Sequence, residues 1–81
     1  MKYSIKFNDF AFEISKTIAD TLKKNYTDVF LETQGNSQTL TLNESILSSF
    51  QVVKTTSQTH FYVLISNKKY RISKNLYTFL E

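Results

Sequence analysis

Cysteine, proline and tryptophan are absent from this chain of 81 residues, and glycine and histidine occur once each. Without cysteine there is no disulfide framework, no zinc knuckle and no thiol nucleophile, so stability has to come from packing. Without proline, and with no linker or low-complexity stretch, the loops should be short. One glycine cannot build a phosphate cradle of the P-loop or dinucleotide type, because several backbone N–H groups must approach the anion unhindered. The single histidine, His60, sits on a predicted strand with no nucleophile motif nearby, and reads as a surface or sheet-edge residue rather than a catalytic base. The acids Asp9, Glu13, Asp20, Asp28, Glu32 and Glu44 are dispersed and show none of the dense alternation of a calcium loop. No metal, no cofactor and no enzymatic activity are expected from this inventory.

Long apolar runs are missing too, which argues against a membrane span. Met1 to Phe10 alternates polar and apolar residues instead of forming the continuous apolar core of a signal peptide, so a cytoplasmic protein without a membrane partner is expected. Lysine outnumbers arginine nine to one, and glycine, proline, alanine and tryptophan together occur three times. The scarce residues mostly have GC-rich codons, which points to an AT-rich genome such as that of a low-GC bacterium or one of its phages or plasmids. That bias also dilutes the meaning of the lysine content.

What the chain does have is a phrase of eleven positions written three times, at Phe12–Leu22, Leu40–Phe50 and Tyr70–Leu80. Each copy begins apolar-x-apolar, continues with Ser or Asn, and places apolar residues three, four and seven positions later. The copies read Phe12, Ile14, Ser15, Ile18, Ala19, Leu22; then Leu40, Leu42, Asn43, Ile46, Leu47, Phe50; then Tyr70, Ile72, Ser73, Leu76, Tyr77, Leu80. A period of two gives way to a helical period across a capping residue, which is how a strand running into an amphipathic helix is encoded. Helices are therefore predicted over 16–25, 44–50 and 74–80. The copies are spaced by 28 and 30 residues, and polar positions agree only in Ile-Ser-Lys at 14–16 and 72–74. A duplication and a shared strand-to-helix grammar both remain open.

A hairpin precedes each phrase. Asn8-Asp9 would pair Phe7 with Phe10, Ile5 with Phe12 and Tyr3 with Ile14; Gly35-Asn36 would pair Leu31 with Leu40 and Val29 with Leu42; Asn67-Lys68 would pair Ile65 with Tyr70 and Val63 with Ile72. A further strand from Gln51 to Thr56, turning at Ser57-Gln58, would join the third hairpin in a meander. Phe61 to Ile65, apolar on both faces, should be the central strand. The expected fold is a single α+β domain over 1–81, a small antiparallel sheet built from β-hairpins each followed by a helix (ββα-ββα-βββα).

Charge is unevenly spread. Residues 1–50 hold five lysines against six acids, whereas residues 51–81 hold Lys54, Lys68, Lys69, Arg71 and Lys74 against Glu81 alone. Lys68, Lys69, Arg71 and Lys74, with Tyr62 beside them, are the candidate contacts for a partner or a nucleic acid, because cations interleaved with aromatics hold phosphates and stack on bases. The competing reading is a solvated edge whose lysines discourage strand-to-strand aggregation. On the first helix, Lys16, Asp20, Lys23 and Lys24 form a solvent face, with Asp20 placed to pair with Lys24. Twelve Phe and Tyr are many for so small a core, so some aromatic surface should be left over, with Tyr26, Phe30 and Phe50 as candidates. These features suggest a non-catalytic macromolecule-binding protein, of the kind phages or mobile elements use to inhibit a host protein or a defence nucleoprotein complex such as a CRISPR effector. The alternative is a small nucleic-acid-binding or regulatory protein using the basic C-terminal hairpin. Oligomeric state is open.

Overall fold

In the computed structural model, residues 1–54 and 60–81 are described. The chain runs β1 (Lys2–Phe7), β2 (Phe10–Ile14), α1 (Lys16–Asn25), β3 (Phe30–Gln34), β4 (Ser37–Thr41), α2 (Glu44–Ser48), β5 (Gln51–Lys54), β6 (Phe61–Ile65), β7 (Lys68–Ile72) and α3 (Lys74–Leu80). The expected continuation of β5 to Thr56 and its turn at Ser57-Gln58 lie outside the described residues.

Each phrase turns from strand to helix at its polar residue. Ser15, Asn43 and Ser73 have extended backbones and accept hydrogen bonds from the N–H groups of Ile18, Ile46 and Leu76, satisfying donors that the first helical turn leaves unpaired. The residue before each cap (Ile14, Leu42, Ile72) and the residue three after it (Ile18, Ile46, Leu76) are all buried. With Ile5, Ala19, Leu22, Leu40, Val63 and Ile65 they complete one core. Among the described residues no polar or charged side chain is buried, so the core is held by apolar packing alone. α2 is shorter than expected: the Ser49 hydroxyl and N–H both bond back to Ile46 O, ending the helix before Phe50.

The α+β class is what the structure shows, but the strands do not form one antiparallel sheet. They form a four-stranded sheet ordered β2-β1-β4-β3 and a three-stranded sheet ordered β5-β6-β7. The first is mixed, because β1 and β4 run parallel, with Ile5 opposite Leu40. Local hairpin rules fix pairings within a hairpin and are silent on how hairpins meet, which is why the parallel pair was not foreseen. β6 is central in its own sheet, while β1 and β4 share that place in the other.

The first hairpin has the expected register throughout. In the second, Leu31 faces Leu40 as expected, but the ladder stops at Phe30–Thr41. Leu42 donates its N–H to Lys6 O on β1, and Val29 lies outside the ladder. The third hairpin turns one residue before the expected place, at Ser66-Asn67, which slips the register by two, with Ile65 opposite Lys68, Val63 opposite Tyr70 and Phe61 opposite Ile72. Ser66 and Asn67 both have positive φ (53° and 68°), as the mirror-image turn matching strand twist requires. A slip of two residues preserves the alternation of faces, so the apolar pattern could not distinguish the two registers.

The corrected register exposes an internal correspondence. Adding 58 to a residue number carries β1–β2–α1 onto β6–β7–α3, with every rung of the first hairpin falling on a rung of the third. Contacts between the two units are reciprocal. Phe12 stacks against Phe79 of α3 at 4.9 Å between ring centroids, and their counterparts Tyr70 and Thr21 meet with the two hydroxyl oxygens 3.0 Å apart. Glu13, Ile14 and Ser15 face Arg71, Ile72 and Ser73 across one open cleft. This is the contact pattern of an approximate two-fold axis. β4 flanks β1 where β5 flanks β6, and α2 links the two halves. The middle phrase stands outside this symmetry, since Leu40 is paired nine residues back and Phe12 and Tyr70 seven.

Candidate binding surfaces

The strand β7 lies at an edge and alternates its side chains across the sheet. The cross-strand partners Tyr62–Arg71 and Leu64–Lys69 put those four residues on one face, away from buried Val63 and Ile65. Lys69 Nζ sits 4.8 Å from the centre of the Tyr62 ring, a cation–π contact worth about 0.5–1 kcal/mol at an exposed site. Lys69 and Arg71 are exposed and Tyr62 is half-buried. Three of the five sequence candidates therefore come together.

The other two go elsewhere. Lys68 lies on the opposite face of β7, where it lines a cleft with α1, and Lys74 is the exposed first residue of α3. The remaining tyrosines of this region are also drawn away from the basic face. Tyr70 meets Thr21, and Tyr77 packs on Phe61 at 4.8 Å with Lys54 Nζ 5.8 Å from its ring centre. On α1, Asp20 pairs with Lys23 at 3.6 Å and not with Lys24, and Lys23 also donates to Gln38 Oε1. His60 precedes β6 instead of lying on it and is half-buried. Among the described residues no three His, Cys, Asp or Glu side chains gather in a way that could hold a metal ion, and no helix is long and apolar enough to cross a membrane.

Of the three aromatic candidates only Phe30 is left exposed, and Phe10 on β2, 54% exposed, is the other large aromatic at the surface among the described residues. Tyr26 and Phe50 are half-buried against one another, edge to face, with ring centroids 6.4 Å apart, and Tyr26 shares a hydrogen bond with Ser49. Phe30 is 63% exposed and its neighbour Leu31 44%. All five residues of β3 are exposed, and β3 is the outer edge of the four-stranded sheet. Leu31 lies opposite Leu40, which is fully buried, so the core reaches β4 and stops there. Its hairpin closes with Gln34 opposite Ser37 across a two-residue loop. Such a loop places the N–H and C=O groups of Gln34, Glu32 and Phe30 toward β4 and aims those of Thr33 and Leu31 outward. Natural edges are blunted by lysine, proline or a bulge. β7 carries Lys68, Lys69 and Arg71, whereas β3 carries no lysine, no proline and only one charge, Glu32. Sequence reasoning could not single out this edge because its exposure follows from the order of strands, which depends on the parallel β1–β4 pair.

The chain matches no protein-family model, no curated protein and no solved structure.

Proposed function

We propose that this protein is a non-catalytic binding protein that acts by occupying a surface of another protein, with the outer edge of β3 as its docking strand. The observation carrying this reading is an unguarded edge with two large apolar side chains exposed, Phe30 and Leu31. The fitting occupant is an extended segment of the partner, which would add a strand beyond β3. Main-chain bonds to Leu31 and Thr33 would give affinity, an apolar side chain would cover Leu31, and a basic residue would complement Glu32. With its AT-rich coding, such a protein suits the role of a phage or mobile-element inhibitor of a host protein or a defence nucleoprotein, and cytoplasmic action belongs to the same proposal.

Affinity capture from lysate of the native host, with and without nuclease, tests it. The wild-type protein should retain a partner after nuclease treatment. Leu31→Lys and Thr33→Pro should lose that same partner while remaining folded, because Leu31 is exposed beyond the end of the core and the Thr33 N–H points away from β4. Retention by both variants would overturn the reading.

A second reading is favoured by one observation, the grouping of Tyr62, Lys69 and Arg71 on an exposed sheet face. This combination would suit single-stranded nucleic acid, with Tyr62 stacking and the cations on phosphates. Its signature is binding that falls steeply with salt and disappears in Lys69→Glu/Arg71→Glu. Partner capture that is lost on nuclease treatment and in this variant would favour it.

A further inference from the structure

The two-fold correspondence places two seams in equivalent positions, and they are filled differently. In one, Phe79 of α3 rests on the first hairpin, its ring centre 4.9 Å from that of Phe12, 5.0 Å from Phe10 and 6.3 Å from Phe7. In the other, the residues at the same places are Thr21, Tyr70, Lys68 and Ile65. Thr21 is much smaller than the phenylalanine it matches. This second seam holds a cleft of about 270 Å³ over Ile65, lined by Thr21, Lys24, Asn25, Ser66, Lys68 and Tyr70.

We infer that this cleft binds a phosphoryl oxyanion. Its lining residues include two lysines, three hydroxyl-bearing residues and an asparagine, and no acid. Among the described residues the only ion pair within 4.0 Å is Lys23–Asp20, so neither Lys24 nor Lys68 is neutralised by an acid. Two like charges at one cleft repel, and an anion between them turns repulsion into attraction. The carboxyl end of α1 opposes this with about half a negative charge, against two full positive charges, and Asn25 Nδ2 donates to Thr21 O in the last turn. The volume is that of about nine waters at roughly 30 Å³ each, enough for a tetrahedral oxyanion with part of its hydration shell. The phosphoryl group can be a free or terminal phosphate or a backbone phosphodiester. The site is separate from the β3 edge and does not depend on it.

Amide chemical shifts recorded during titration with inorganic phosphate, and separately with a short oligothymidylate, at ionic strength matched with chloride, test the site. Saturable shifts centred on Lys24, Ser66 and Lys68 are expected with at least one probe. Response to phosphate alone assigns the site to a free or terminal phosphate, and a stronger response to the oligonucleotide assigns it to a backbone. Lys24→Gln and Lys68→Gln should each weaken binding about tenfold, as expected for losing a charge-assisted contact. Thr21→Phe/Lys68→Phe, which copies the phenylalanine seam, should abolish the response. Lys69→Gln/Arg71→Gln, on the other face, should retain it. The site is refuted if neither probe gives saturable shifts there, or if wild type and the two single glutamine variants respond equally.

Discussion

The two halves of the molecule agree where the fold is made and differ where it could bind something. Both have the same hairpin register, the same serine cap and the same buried isoleucine before it. They part at the seams, one filled with phenylalanine and the other lined with lysine and hydroxyls, and at the sheet margins. Beyond β4 the first sheet continues into β3, with its exposed Phe30 and Leu31, while β5 ends the second. The shared features are those that packing and capping demand. Packing does not demand the unshared ones, and these carry the proposed contacts.

Breaking a shared position should therefore cost the same in either half. Ile14→Asp and Ile72→Asp each bury an unpaired carboxylate at equivalent sites, and each should lose about 4 kcal/mol or more in a urea melt, enough to leave little folded protein. A large loss for one and tolerance of the other would break the correspondence. Unshared positions should give unequal losses. Phe79→Ala removes the ring on which three others rest and should cost about 2–3 kcal/mol, whereas Thr21→Ala, its counterpart, should cost about 1 kcal/mol or less. Ser15→Ala and Ser73→Ala should lower thermal stability alike, by about 1 kcal/mol each, as removal of a helix cap does. Smallest of all, Glu13→Ala and Arg71→Ala change exposed residues facing one open cleft and should stay within about 0.5 kcal/mol of wild type.

Much of the fold was legible because its signals are local. The three caps, the start of each helix and the first hairpin follow from residues less than a dozen apart. The third hairpin was misplaced although its correction lay in the sequence. Aligning Tyr70 with Phe12 carries Asn8-Asp9 onto Ser66-Asn67, the observed turn. The parallel β1–β4 pair and the division into two sheets join segments more than thirty residues apart through backbone bonds, which no side-chain pattern specifies. The candidate sites divide in the same way. Tyr62, Lys69 and Arg71 could be grouped by strand alternation, whereas Lys68 was separated from them by the turn that sequence misplaced. The bare edge of β3 and the cleft beside α1 depend on tertiary arrangement and could not be read at all.

Hydrogen exchange of the backbone amides tests the central claim, that β3 is the docking strand, most directly. In the free protein Leu31 and Thr33 should exchange rapidly, while their neighbours Glu32 and Gln34, bonded to β4, are protected. Added to the partner recovered by capture, the protein should gain protection at Leu31 and Thr33, with the amides of Lys69 and Arg71 unchanged. Protection that arises on β7 and leaves Leu31 and Thr33 exchanging as before would contradict the claim.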